Sequence, residues 1–92
     1  MTTLNITCNT FSPVYNNPSN KQITINLSVT SQCGGTTTLG IYEIATNTLI
    51  SSPQLQPGPN TIDVDPHLYL AVYCKSADHG AGGGCIAEVE VV

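Results

Sequence analysis

Residues 22–30, QITINLSVT, alternate without a break: Ile23, Ile25, Leu27 and Val29 fall on one side, Thr24, Asn26, Ser28 and Thr30 on the other. A period of two buries one face of a β-strand and wets the other. A helix would scatter the same residues around its circumference. The β-branched side chains in the run suit a pleated strand better than a helix. No segment of the chain offers the opposite signal. Apolar residues at i, i+3, i+4 and i+7 never persist over three turns, and Gly, Pro, Asn and Thr interrupt each candidate window. The chain therefore reads as all-β.

The same alternation recurs elsewhere. LNITC sets Leu4, Ile6 and Cys8 on one face; NTIDVD sets Ile62 and Val64 inward and both aspartates outward; CIAEVEVV sets Cys85, Ala87, Val89 and Val91 against Glu88 and Glu90. HLYLAVYC is apolar on both faces, as a covered central strand would be. TLGIYEIAT and TLIS complete the set, with Gly40 as a candidate bulge. SPVYNNPSN, CGG, ATN, SSPQLQPGPN, DP and a glycine-rich stretch read as the turns between them. Seven short strands without helices predict an antiparallel β-sandwich.

The stretch LQPGPNTIDVDPHLYLAVYC followed by CIAEVEVV resembles the immunoglobulin-like and fibronectin-type-III-like superfold. It is similar to the turn into strand E, strand E, the E–F corner, strand F and strand G. The resemblance implies an Ig-like sandwich of about seven strands, with Tyr69 or Tyr73 as the corner tyrosine. A superfold brings no function with it.

Ninety-two residues make a single domain, 1–92, whose core is thin enough to need staples. Charged residues are 9% of the chain against roughly 25% in ordinary soluble domains, and the net charge is −4. Lys21 and Lys75 are the only basic residues beside two histidines. Nucleic acid is excluded as a partner, because nothing neutralises its phosphates. No run of eighteen apolar residues predicts membrane insertion, and MTTLNITCNTF lacks the basic and apolar regions of a signal peptide. Thr, Asn and Ser occupy the place that charge normally takes. With little charge to hold copies apart, such a surface suits a secreted, glycan-bearing or self-packing protein.

CKSADHGAGGGC, residues 74–85, admits four readings. Its glycines match neither phosphate-binding spacing, and a strand follows rather than a helix. Cys74, His79 and Cys85, with Cys33 or His67, would be an irregular zinc set. A nucleophilic cysteine beside His79 and Lys75 lacks an oxyanion site and a third group. A Cys74–Cys85 disulfide closing an F–G hairpin fits best, since both cysteines share the parity of inward residues. In the chain-entropy model such a staple is worth roughly 3 kcal/mol.

The remaining cysteines raise the question of assembly. In the Ig-like plan Cys8 ends the first strand at one pole, and Cys33 lies at the other pole with Cys74 and Cys85. About eight residues of strand, roughly 26 Å, separate the poles, whereas a disulfide needs Cα atoms within about 7 Å. Both free, a different strand plan with an intrachain bridge, and a bridge to a neighbour all remain open. Residues 9–21 read as a connector long enough to let residues 1–10 exchange, with Leu4, Ile6 and Cys8 as the donated strand. Asn5 and Asn26 begin glycosylation sequons. Asp63, Asp65 and Asp78 as a calcium set, and Tyr15, Tyr42, Tyr69 and Tyr73 as a sugar-stacking patch, are weaker readings.

The expectation is a structural protein rather than an enzyme, requiring no cofactor or catalytic metal. It would be an extracellular or cell-surface subunit whose partners are copies of itself and glycans. Subunits would join head-to-tail by N-terminal strand addition and an intersubunit Cys8–Cys33 bridge. The alternative is a secreted carbohydrate- or protein-binding module.

Overall fold

Among the described residues period-two alternation becomes eight strands, where seven were expected. The computed structural model describes residues 2–31, 34–76 and 84–92. The strands are β1 (Thr2–Thr7), β2 (Ser12–Asn17), β3 (Ile23–Ser31), β4 (Gly34–Glu43), β5 (Thr48–Ser51), β6 (Pro59–Val64), β7 (Leu68–Ser76) and β8 (Gly84–Val91). The additional strand is β2, in a stretch the sequence presents as a turn. Pro13 is tolerated because β2 lies at a sheet edge and its register against β7 shifts between Pro13 and Tyr15.

Two four-stranded antiparallel sheets result, in the orders β1-β8-β3-β6 and β2-β7-β4-β5. The pairings β1 with β8, β2 with β7, β3 with β6 and β4 with β5 are those of one long hairpin. Rolling that hairpin up adds β8 beside β3 and β7 beside β4. This is the strand order of a jelly roll, a double-sheet solution to the problem of exposed edges. It corrects the Ig-like plan, in which F and G would be neighbours. The strands that would play those parts, β7 and β8, lie in opposite sheets. The physical reason is β2. One extra strand near the N-terminus reverses the direction of β1 relative to everything after it.

The inward parities meet in one core of Ile6, Val14, Ile25, Leu27, Leu39, Leu55, Val64, Leu70, Val72, Cys74, Cys85, Ala87 and Val89. The most central strands, β3 and β7, contribute side chains with almost no exposure: Ile25, Leu27, Leu70, Val72 and Cys74. Cys74 and Cys85 form a disulfide with Cα atoms 6.6 Å apart. It is not a staple across a hairpin ladder but a pin between the two sheets. Inward parity is still what brings the sulfurs together.

Cys8 also moves from its expected place. β1 runs antiparallel to β8 with Thr7 opposite Gly84, and β3 pairs with β8 so that Ser31 is opposite Cys85. The end of β1, the end of β3 and the Cys74–Cys85 bridge therefore share one pole. Cys8 is itself disulfide-bonded. Cys8 thus stands at the pole of the Cys74–Cys85 bridge and not at the opposite one; Cys33 lies outside the described residues. The long connector is likewise absent. Only residues 8–11 separate β1 from β2, and they are pinned. The Asn9 N–H donates to the Cys74 carbonyl at 2.8 Å, and the Ser76 N–H donates to Asn9 Oδ1 at 2.9 Å.

Candidate functional site

Sheet edges expose unpaired backbone groups, so each edge strand is a potential pairing site unless something blunts it. Three of the four edges are blunted. β2 carries Pro13 and a bulge. β6 opens on Pro59 and exposes Asp63. β5 is four residues long, and its register with β4 shifts so that Ile50 is the extra residue. β1 has none of these devices. Its six residues, TTLNIT, contain no charge and no proline, and pair in unbroken register with β8. Ile6 is buried and Leu4 half-buried against the core, which holds the strand in place while no strand among the described residues pairs with its outer edge.

The two outer faces differ in chemistry. On the β1-β8-β3-β6 sheet the outward residues include Thr3, Asn5, Thr24, Asn26, Ser28, Thr61, Asp63, Glu88 and Glu90. Hydroxyls engage their neighbours there: Thr24 Oγ1 donates to Asp63 Oδ1 at 2.7 Å, and Thr61 Oγ1 to Asn26 Oδ1 at 3.0 Å. On the β2-β7-β4-β5 sheet most outward residues are aromatic, apolar or small, with Asn16 and Lys75 as polar exceptions. One cross-sheet row runs Asn16, Tyr69, Tyr42, Leu49; the next has Pro13, Ala71 and Gly40.

Ring contacts tie this second face together. Tyr42 and Tyr69 stack with centroids 4.8 Å apart. Phe11 meets Tyr42 edge-on at 6.0 Å and Tyr73 at 4.9 Å. Gly40 is required beneath this cluster, because a Cβ there would sit 2.9 Å from the Phe11 ring and 2.8 Å from Tyr42. Its role is to seat the ring rather than to make a bulge. The Tyr69 hydroxyl donates to Asn47 Oδ1, and Asn47 adopts the left-handed backbone (φ 55°) that asparagine tolerates. A shallow groove of about 510 Å³ runs beside Tyr69, lined by Pro13, Val14, Tyr15, Asn16 and Ile44.

The residues singled out in the sequence divide cleanly. Tyr42, Tyr69 and Tyr73 share the outer face; Tyr15 instead packs against the core. Asn5 is exposed on β1, and Asn26 is half-buried in the centre of its sheet. Asp63 and Asp65 accept hydrogen bonds from Thr24 and Gln22. His67 Nε2 lies 2.9 Å from Asn20 Oδ1. Cys74 and Cys85 are oxidised to the disulfide. Asp78, His79 and the glycines 80, 82 and 83 lie outside the described residues. Sequence reasoning missed Phe11, the single phenylalanine, whose place beside a strand taken for a turn hid its role.

No protein-family model matches the chain, and no curated protein matches it. The fold and surface define a disulfide-pinned jelly-roll module with one open sheet edge and one aromatic face.

Proposed function

We propose that the protein is a structural subunit that assembles with copies of itself outside the cell, through its N-terminal strand. The carrying observation is the open edge: β2, β5 and β6 are blunted and β1 is not. A copy approaching about a two-fold axis sets β1 against β1 and extends one four-stranded sheet into eight. Strand addition here leaves β1 in its own sheet, because the pinned link at Asn9 holds it there. The pairing is edge-to-edge rather than by donation. The buried disulfide suits an oxidising compartment.

Thr3 and Asn5 are exposed on the outer face of β1. Thr3→Lys with Asn5→Lys places like charges close together across the two-fold. Sedimentation of the full chain is expected to show that this variant loses the edge-paired species while keeping a native circular dichroism spectrum. An unchanged mass distribution contradicts the reading.

A second reading, a carbohydrate- or protein-binding module, draws on the groove beside Tyr69. There a fixed aromatic wall and the Asn16 amide, which makes no hydrogen bond among the described residues, stand together. A glycan array probed with the edge-blocked chain tests it. Selective binding that Tyr69→Ala abolishes supports it, and no binding counts against it.

A further inference from the structure

We propose that the aromatic outer face of the β2-β7-β4-β5 sheet is a second self-association surface, taking the same face of another copy of this chain. The inference goes beyond the edge reading and rests on different residues. Phe11 is 38% exposed, Leu49 46% and Ile50 55%, and with Ile44 they sit on or beside this sheet. Around them stand Tyr42, Tyr69 and Tyr73. An apolar patch shared by three strands, β4, β5 and β7, and the segments beside them is more than the scattered exposed side chains of an ordinary monomer.

Charge placement selects a copy of the chain as the occupant. Asp63, Glu88 and Glu90 all point outward from the other sheet. Two copies meeting through that sheet would bring three carboxylates against three. On the aromatic sheet the outward strand positions are uncharged except Lys75, at the disulfide end of β7. Face-to-face docking through the aromatic sheet turns both acidic faces to solvent. A cationic partner finds no complementary charge at these strand positions, and an anionic one finds only Lys75, at the disulfide end.

Shape points the same way. The Phe11–Tyr42–Tyr69 ring cluster adjoins the groove lined by Pro13, Asn16 and Ile44, with Tyr69 common to both. A two-fold axis beside them lets each copy's rings meet the other's groove, as an isologous interface requires. The molecule measures 41 × 27 × 18 Å, so its broad side has room for the roughly 800 Å² per partner of a standard interface. Sheets packing in this way sit about 10 Å apart.

The test uses the full chain carrying Thr3→Lys and Asn5→Lys, which removes edge pairing. Sedimentation equilibrium is expected to find a dimer. Leu49→Lys, at an exposed position on a short edge strand, is expected to weaken it at least about tenfold without changing the thermal midpoint, as loss of an interface anchor does. Phe11→Lys is expected to act in the same direction. Thr61→Lys, on the opposite face, is expected to leave the dimer intact. A monomer at every accessible concentration overturns the proposal. So does a dimer indifferent to Leu49→Lys, or one broken by Thr61→Lys instead. Because the edge is already blocked, failure here leaves the edge reading standing.

Discussion

Asn17 shows how much a single polar side chain can organise in a thin core. It is fully buried, yet every part of its amide is used. Nδ2 donates to the carbonyls of Lys21, Val64 and Asp65 at 2.9, 3.0 and 3.2 Å, while Oδ1 accepts from the Ser19 hydroxyl at 2.7 Å and its N–H at 3.2 Å. The residue ties the end of β2 to the β2–β3 turn and to the end of β6, across the two sheets. Asn17→Ala leaves these carbonyls without their donor and is expected to cost about 3 kcal/mol, read by chemical denaturation. Nothing in NNPSN distinguishes this asparagine from its exposed neighbour Asn16, because burial here is decided by strand β2 and not by local sequence. The cysteines were legible: inward parity at 74 and 85 is visible in the alternation itself. Replacing both with Ala is expected to cost roughly 3 kcal/mol, measured against the oxidised chain. Gly40→Val is expected to displace the Phe11 and Tyr42 rings and cost about 1–3 kcal/mol, with a changed near-ultraviolet dichroism spectrum.

At the scale of elements, the strands with clean alternation were readable and the one without it was not. β3, β6, β7 and β8 match their expected faces, down to Asp63, Glu88 and Glu90 outward, although Val91, expected inward, is exposed at the end of β8. β2 hides because its shifted register breaks the period: Val14 points into the core, and after the shift Tyr15 packs against it too. Two prolines and three asparagines in SPVYNNPSN look like a turn, and only pairing with β7 makes six of these residues a strand. The edges follow from that assignment. Once β2 is present, its proline guards one flank, and β1 is left as the open strand of the other sheet. Thr3→Lys with Asn5→Lys is expected to change monomer stability by less than about 0.5 kcal/mol, since both positions are exposed. Thermal unfolding checks that any loss of association is not a loss of fold.

For the whole molecule, strand count and strand order are different kinds of information. Alternation tells which residues face the core, and both an immunoglobulin-like and a jelly-roll arrangement satisfy it. Order depends on which strand meets which, and here one additional strand reverses β1, while β7 and β8 lie in opposite sheets. The pole assignment of Cys8 went with it. The scarcity of charge, by contrast, was legible from composition. The structure shows part of its distribution: Asp63, Glu88 and Glu90 on one outer face, the Phe11–Tyr42–Tyr69–Tyr73 rings on the other. In the proposed assembly the open β1 edge and the aromatic face each join copies about a two-fold axis. One such interface stops at a dimer, whereas two distinct ones used in alternation give an open chain. The most direct test is sedimentation velocity on the native full chain, beside the Thr3→Lys/Asn5→Lys and Leu49→Lys variants. The expected result is a polymer distribution for the native chain and a discrete dimer for each variant. A native chain that sediments as a single 9.7 kDa species would contradict the account.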